Sequence, residues 1–327
     1  MKEGGTKMDL ETQETWQVQD STKLQKYLEC PRRYFYEYVV GWQPEQPSIH
    51  LEFGSAWHLA MEILYTKGFS AGSIVDAYEA FETYYRGVFP PEMDTVNNPK
   101  IPDNVFRGLP QYCALYARDD FTVHHVEVAG SVMVGDTRKL YFLMDVICEG
   151  EQGVFSLEHK TSGRFSTSWV AQWRQKTQIG TYSHALYCMF PQPSVFGVVI
   201  NGFFPATPRY KQDGELYANS RDNDFQRLPV RRSLDSMEGW LDTVNHWLDL
   251  LETDFDQLDY AREDDHVLRC FHKNTEMCSN YGQCPYLDYC ASWHNPLQHA
   301  GAPPVGFVER HWDPRRSLER AGKVVEL

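Results

Sequence analysis

Three consecutive runs, HHVEVAGSVMV (residues 124–134), RKLYFLMDVICE (138–149) and VFSLEHKTS (154–162), constrain most strongly what this chain can fold into. Each is rich in β-branched and aromatic residues, and only the turn signals GDT and GEQG separate them, so they read as a meander of three antiparallel strands. Along the third run side chains alternate faces: Ser156, Glu158 and Lys160 share one, Phe155, Leu157 and His159 the other. In the second run Asp145 interrupts apolar residues, a costly place for an acid without a ligand. A hairpin turn over 149–153 would bring Asp145 beside the Glu158 strand. Two carboxylates at adjoining strand ends make a hard-oxygen site suited to Mg²⁺ or Mn²⁺. The same pair could act as the acid and base of a glycosidase, but that chemistry has no use for the adjoining Lys160. A lysine there suits phosphoryl chemistry, in which a cation steadies developing negative charge and helps orient an attacking water. Taken alone, the stretch would also fit a surface strand carrying a cross-face ion pair, which stabilises little.

The flanking segments read as helices with two further strands. Ser21 is an N-cap candidate for STKLQKYLECPRRYFYEYVVGW, read as one helix with Leu24, Tyr27 and Leu28 at helical spacing ahead of Cys30 and Pro31. FGSAWHLAMEILYTKG is a second helix stopped by Gly68. Residues 71–120 look helical on either side of FPPEMDTVNNPKIPDN, and 169–189 read as one helix. SVFGVVINGFF fits a buried central strand, FQRLPV a short one. The following helix places Leu234, Met237, Leu241, Val244, Leu248 and Leu251 on one face. The order predicts an α/β fold, a mixed sheet flanked by helices. Gln178 and Tyr182 lie four apart on a helix that follows the Lys160 strand closely enough to pack over it, and His58 and Glu62 share that spacing.

Among 327 residues, 31 Lys and Arg face 45 Asp and Glu, a net charge of −14 that argues against nonspecific coating of nucleic acid while permitting a local basic groove. Eleven of the acids lie between Leu234 and Asp265 against the single Arg262, which reads as a solvated helix face and loop. No apolar run approaches the roughly 18 residues of a membrane span, and MKEGGTKMDLETQET lacks a signal-peptide core, so a soluble cytoplasmic protein is expected. Cys113, Cys148 and Cys188 stand singly in apolar surroundings and read as reduced core residues. Cys270, Cys278, Cys284 and Cys290 crowd together, and Cys30 stands apart near the start, a pattern that suggests metal before disulfides. His124, His125 and Glu127 could form another metal site, but adjacent strand residues face opposite ways, which favours a structural role. His159 is expected to be buried, neutral and hydrogen-bonded.

The succession Gly54 to His58, Asp145, Glu158-His159-Lys160, then Gln178-x-x-x-Tyr182 resembles the RecB-like branch of the PD-(D/E)XK nuclease superfamily, over roughly residues 21–290. One departure is YFLMD, which lacks the glycine usual before the acid. The resemblance implies a restriction-endonuclease-like mixed central sheet and a metal-dependent DNA nuclease, an exonuclease acting on single strands or duplex ends. His58, Asp145 and Glu158 would be the metal ligands, Lys160 catalytic, and Gln178 and Tyr182 supporting. CPRRYFYEY further resembles the iron-sulfur members, which include the AddB nuclease domain and nucleases of CRISPR adaptation. Their pattern implies a [4Fe-4S] cluster on Cys30, Cys278, Cys284 and Cys290, an iron-sulfur clasp joining N-terminal and C-terminal segments. Zinc on Cys270, Cys278, Cys284 and Cys290 is the alternative. The implied organisation is a mobile tail over 1–20, a nuclease domain over 21–295 with a helical insertion at about 70–120, and a C-terminal extension over 296–327. The implied partners are DNA and proteins of recombination or CRISPR adaptation, without a membrane. A catalytically silent DNA-binding or assembly subunit, or a zinc-stabilised interaction protein, are the competing functions. Phosphate contacts are expected from Lys23, Lys26, Arg32, Arg33, Arg227, Arg231 and Arg232. Tyr34, Phe35 and Tyr36 could stack on unpaired bases or pack around a cluster.

Overall fold

The computed structural model describes residue 10 and residues 13–280 and 282–327. In chain order, β1 (Gln19–Asp20) leads into α1 (Ser21–Glu29), α2 (Pro31–Tyr34), β2 (Trp42–Pro44), α3 (Ile49–Lys67), α4 (Ala71–Val88), α5 (Asp94–Asn97) and α6 (Pro102–Leu115). Then follow β3 (Phe121–Met133), β4 (Lys139–Gly150), β5 (Gly153–Thr161), α7 (Thr167–Gln172), α8 (Thr177–Met189), β6 (Val195–Phe204) and β7 (Asp224–Val230). The chain ends with α9 (Leu234–Leu258), α10 (Leu287–Ser292), β8 (Phe307–Glu309) and β9 (Lys323–Glu326). No described helix is long and apolar enough to cross a membrane.

These elements form two compact units. One gathers Met1–Gln46, Ser131–Phe142 and Leu234–Glu319; the other gathers Pro47–Gly130, Leu143–Ser233 and Arg320–Leu327. Strand order runs β7-β6-β5-β4-β3-β9. The expected β4–β5 hairpin is present: Gly150 pairs with Gly153 and the antiparallel register continues to Val146 and Leu157, so Asp145 and Glu158 are each the next residue along. Gly153 enables the turn. Its φ is +114°, and a Cβ there would lie 2.3 Å from the carbonyl oxygen of Ser194. Gly153→Ala should therefore lower stability by about 1–3 kcal/mol, read as a shift in the denaturant midpoint. β5 and β6 are parallel, with Lys160 opposite Gly202, and α7 and α8 form the crossover between them. β6 is paired on both sides and almost wholly buried, as its unbroken apolar run predicts. On one face Phe203 stacks on Trp57 of α3 at 4.3 Å and on Phe225 of β7 at 5.0 Å, the centre of an aromatic core that extends to Phe53, Phe81 and Tyr85.

In the other unit the single N-terminal helix that was expected is broken. Asp20, not Ser21, caps α1 by accepting from Lys23 N at 2.7 Å. Cys30 is extended (φ −164°, ψ 110°) because the following Pro31 disfavours helical geometry at the preceding residue. Likewise 169–189 is two helices with a break at 173–176. The mobile tail expected over 1–20 lies outside the described residues for 1–9, 11 and 12, but Trp16, Val18, Gln19 and Asp20 are buried. On α9 the buried stripe is Met237, Trp240, Val244, Leu248 and Leu251, while Leu234 is exposed. The acidic run is not wholly solvated either, since Asp254 is buried and accepts from Tyr27 OH (2.6 Å) and Phe271 N (2.9 Å). Cys113 and Cys148 are core residues as expected; Cys188 is exposed, a correction.

Candidate functional site

β4 and β5 deliver the two acids, and helices on either side add the remaining groups. Lys160 Nζ donates to Glu158 Oε1 at 2.5 Å, which confirms their shared strand face. The same oxygen accepts from Gln178 Nε2 of α8 at 3.1 Å, and Gln178 also donates to Tyr182 OH at 3.0 Å. Tyr182 OH donates to the carbonyl of Leu143, tying α8 to β4. From α3, His58 Nδ1 meets Asp145 Oδ1 at 2.9 Å. The amide of His159 donates to Asp145 Oδ2 at 2.6 Å. His58, Asp145, Glu158, Lys160, Gln178 and Tyr182 thus converge in one unit.

Both acids are buried, Asp145 at 4% exposure and Glu158 at 1%. Burial works to raise the Asp145 pKa, but His58, His159 and Lys160 hold it below the usual carboxylate range. Burial and the Asp145 charge raise that of Glu158, against Lys160 and His58. Lys160 stays cationic because Glu158 and Asp145 outweigh its own burial. Glu158 Oε2 is buried with no hydrogen-bond partner, an acceptor directed at nothing the protein supplies. An imidazole, two carboxylates and that open oxygen suit a hard divalent cation. Among the described residues, however, no three or more His, Cys, Asp or Glu side chains are arranged to hold a metal ion.

Behind this cluster, His159 is buried and neutral, its pKa pushed down to about 3 by burial, as expected. Its Nδ1 lies 2.8 Å from Asn201 Nδ2, which also donates to Tyr112 OH at 2.7 Å. Sequence reasoning missed Asn201, and it considered Glu127 only as part of a possible separate site with His124 and His125. Burial first, then the charges of Asp145 and Glu62, push the pKa of Glu127 up to about 8. Its φ of +52° turns it out of regular strand geometry. An acid inside an apolar strand was the only signal in the sequence. The two neighbouring histidines do not join it, because His124 pairs with Glu149 at 2.7 Å and His125 with Lys323 at 2.8 Å.

In the other unit Cys30, Cys278 and Cys284 line one cavity of about 270 Å³ with Arg33 and Asn274. Asn274 N donates to Cys30 Sγ at 3.3 Å. The Cys290 thiol feels Cys30 and Cys278, whereas Cys270 is buried beside Asp254 and Arg32.

Most of the expected phosphate contacts are corrected. Lys23 is fully buried, with Nζ capping the carbonyls of Thr15 and Val18 at 2.6 and 2.7 Å. Arg32 is buried and donates to the carbonyls of Phe271 and Leu268, and Arg232 to those of Arg174 and Lys176. Arg227 belongs to an internal network with Asp119, Tyr65 and Tyr112. Lys26 and Arg33 pair with Glu29 and Glu37. Arg231 lies over Phe196 and donates to Gln152. Tyr34, Phe35 and Tyr36 have no exposed surface and cannot meet a base.

A mixed sheet with two acids and a lysine at adjoining strands, and a Gln-x-x-x-Tyr helix packed over them, defines the restriction-endonuclease-like class of α/β proteins. The family model of the PD-(D/E)XK nuclease superfamily matches residues 21–291, and the chain belongs to that superfamily. Membership suggests a nuclease, for which Mg²⁺ or Mn²⁺ is the typical cation. No curated protein matches. A solved structure described as the crystal structure of SSO0001 is similar at 11% identity over 62% of this chain and 90% of that one, with a TM-score of 0.25.

Proposed function

We propose that this protein is a divalent-metal-dependent DNA exonuclease of the RecB-like, iron-sulfur type. The observation that carries the reading is the buried, unpartnered Glu158 Oε2 beside Asp145 and the cationic Lys160. His58, Asp145 and Glu158 would hold the cation, which supplies water activation and charge stabilisation on the phosphoryl oxygens. Lys160 keeps its proton beside Glu158, so its Nζ can donate to an anionic phosphoryl oxygen or orient the attacking water. Gln178 fixes the Glu158 oxygen nearer the lysine and leaves the other free. Tyr182 locks α8 to the backbone of β4, and the His159 amide sets the Asp145 carboxylate. The test is incubation of end-labelled linear and circular DNA, single-stranded and duplex, with Mg²⁺ or Mn²⁺ and with EDTA. Cleavage of linear DNA alone, abolished by EDTA, is expected; binding without any cleavage would favour the silent-subunit reading.

The shared cavity of Cys30, Cys278 and Cys284 supports the [4Fe-4S] assignment over the zinc set, because the Cys290 thiol feels Cys30 and Cys278 whereas Cys270 is buried beside Asp254 and Arg32. Cluster-bound thiolates would join residue 30 to a segment nearly 250 residues away. Protein purified anaerobically should absorb near 400 nm (roughly, for thiolate-bound iron), and Cys30→Ser should lose that band while Cys270→Ser keeps it. Colourless protein containing stoichiometric zinc would overturn the cluster.

A further inference from the structure

Tyr34, Phe35 and Tyr36, for which base stacking and packing around a cluster were both open, are all buried. A different row of aromatic rings lies beside Lys160. Gly202 is directly opposite Lys160 in the parallel β5–β6 pairing, so the two residues face the same side of the sheet, as does Phe204 two residues on. A Cβ at Gly202 would come within 2.9 Å of the rings of both Phe204 and Trp169. The absent side chain is what lets these rings settle on the sheet next to the lysine. From there the row runs outward: Trp169 meets Phe204 at 5.0 Å, and Phe165 meets both at 5.6 Å. Trp169 and Phe204 are buried, but Phe165 is 39% exposed. It sits in the short loop between Thr161, the last residue of β5, and α7.

Phe165 opens one end of a shallow groove of about 550 Å³ whose other walls are Ser166, Thr167, Val170, Ala171 and Arg174. Arg164 and Arg174 are exposed, and no ion pair or hydrogen bond engages either guanidinium among the described residues. That contrasts with Arg33, Arg86, Arg107, Arg138 and Arg227, all of which are paired with acids in this strongly acidic chain. Two free guanidinium groups, Arg164 next to Phe165 in the chain and Arg174 in the same groove as its ring, complement a polyanion that also presents flat apolar faces.

Resting on the nuclease reading above, we propose that Phe165, Arg164 and Arg174 form a single-strand DNA platform that feeds the Lys160 site. One unpaired base stacks on Phe165 and the adjoining phosphates meet the two arginines. The strand then continues from Phe165 toward Glu158 and Lys160. A duplex keeps its base faces stacked internally, so the platform selects unpaired strands.

The test uses the full chain carrying Glu158→Ala, so that DNA is bound and not consumed. Fluorescence anisotropy compares a labelled oligothymidylate of roughly 20 nucleotides with a blunt duplex of the same length. Phe165→Ala should weaken binding of the single strand about tenfold, within the span of about 5- to 150-fold expected for one lost stack, and Phe165→Trp should restore it. Arg164→Ala with Arg174→Ala should flatten the log–log salt dependence by about 1.4, two phosphate contacts on a single strand. Duplex affinity should change less than about twofold. Unchanged single-strand affinity in Phe165→Ala, equal losses on duplex, or no rescue by tryptophan would overturn the platform. Because binding is read without cleavage, the two readings fail separately. Wild-type protein that binds single strands through Phe165 but never cuts them contradicts the nuclease alone, and a nuclease indifferent to Phe165 contradicts the platform alone.

Discussion

Replacing Glu158 or Lys160 by alanine is expected to lower Mn²⁺-dependent DNA cleavage by at least about a thousandfold, with the fold retained. Glu158→Ala removes the open oxygen and leaves Asp145 and His58, which already satisfy one another at 2.9 Å, without a second carboxylate to share a cation. Lys160→Ala leaves His58, Asp145 and Glu158 in place but strips the ammonium paired with Glu158. Its loss should appear mainly in kcat, with little change in single-strand affinity, because charge on phosphorus develops after binding. Calorimetric titration with Mn²⁺ separates the two variants: weakened binding in Glu158→Ala, near-normal binding in Lys160→Ala. Both enzymes cutting end-labelled DNA at the wild-type rate would sink the catalytic assignment.

Arg227→Ala is expected to cost about 1–3 kcal/mol of stability, because it removes a partly buried guanidinium and leaves its hydrogen-bond partners without their donor. The guanidinium pairs with Asp119 at 2.8 Å and donates to Tyr65 OH at 3.1 Å, Tyr112 OH at 3.3 Å and Asn201 Oδ1 at 3.3 Å. It also lies 3.7 Å from the centre of the Tyr116 ring. Alanine would strand Asp119 and loosen the Asn201 amide that contacts His159. The midpoint of urea unfolding gives the measurement. A variant with normal stability but reduced DNA affinity would return Arg227 to the surface role that its charge suggests.

How far the sequence could be read depends on which interaction fixes each residue. The β4–β5 hairpin was legible because turn chemistry and strand alternation are local: GEQG sets the register, and register alone carries Asp145 to Glu158 and puts Lys160 on the same face. His58, Gln178 and Tyr182 were legible through helical spacing and their order along the chain. Long cationic side chains were not, since nothing local distinguishes Arg227, folded into a nest of tyrosines, from Arg174, free in solvent. Their fates are decided by partners more than a hundred residues away, as Arg227 and Asp119 show. The same holds for Tyr34, whose ring lies 6.1 Å from Phe271. Glu127 was grouped with His124 and His125 for another reason: a left-handed backbone conformation at a glutamate leaves no trace in composition or periodicity.

One unit draws its residues from three separated stretches of chain, the last of them Leu234–Glu319. During synthesis, a nascent polypeptide that has emerged as far as Ser233 already carries nearly all of the unit that holds Asp145 and Glu158, yet its first forty-odd residues must wait for a segment the ribosome has not made. Those early helices, with their apolar stripe uncovered, are the natural clients of chaperones, and truncated expression near residue 233 should give insoluble protein.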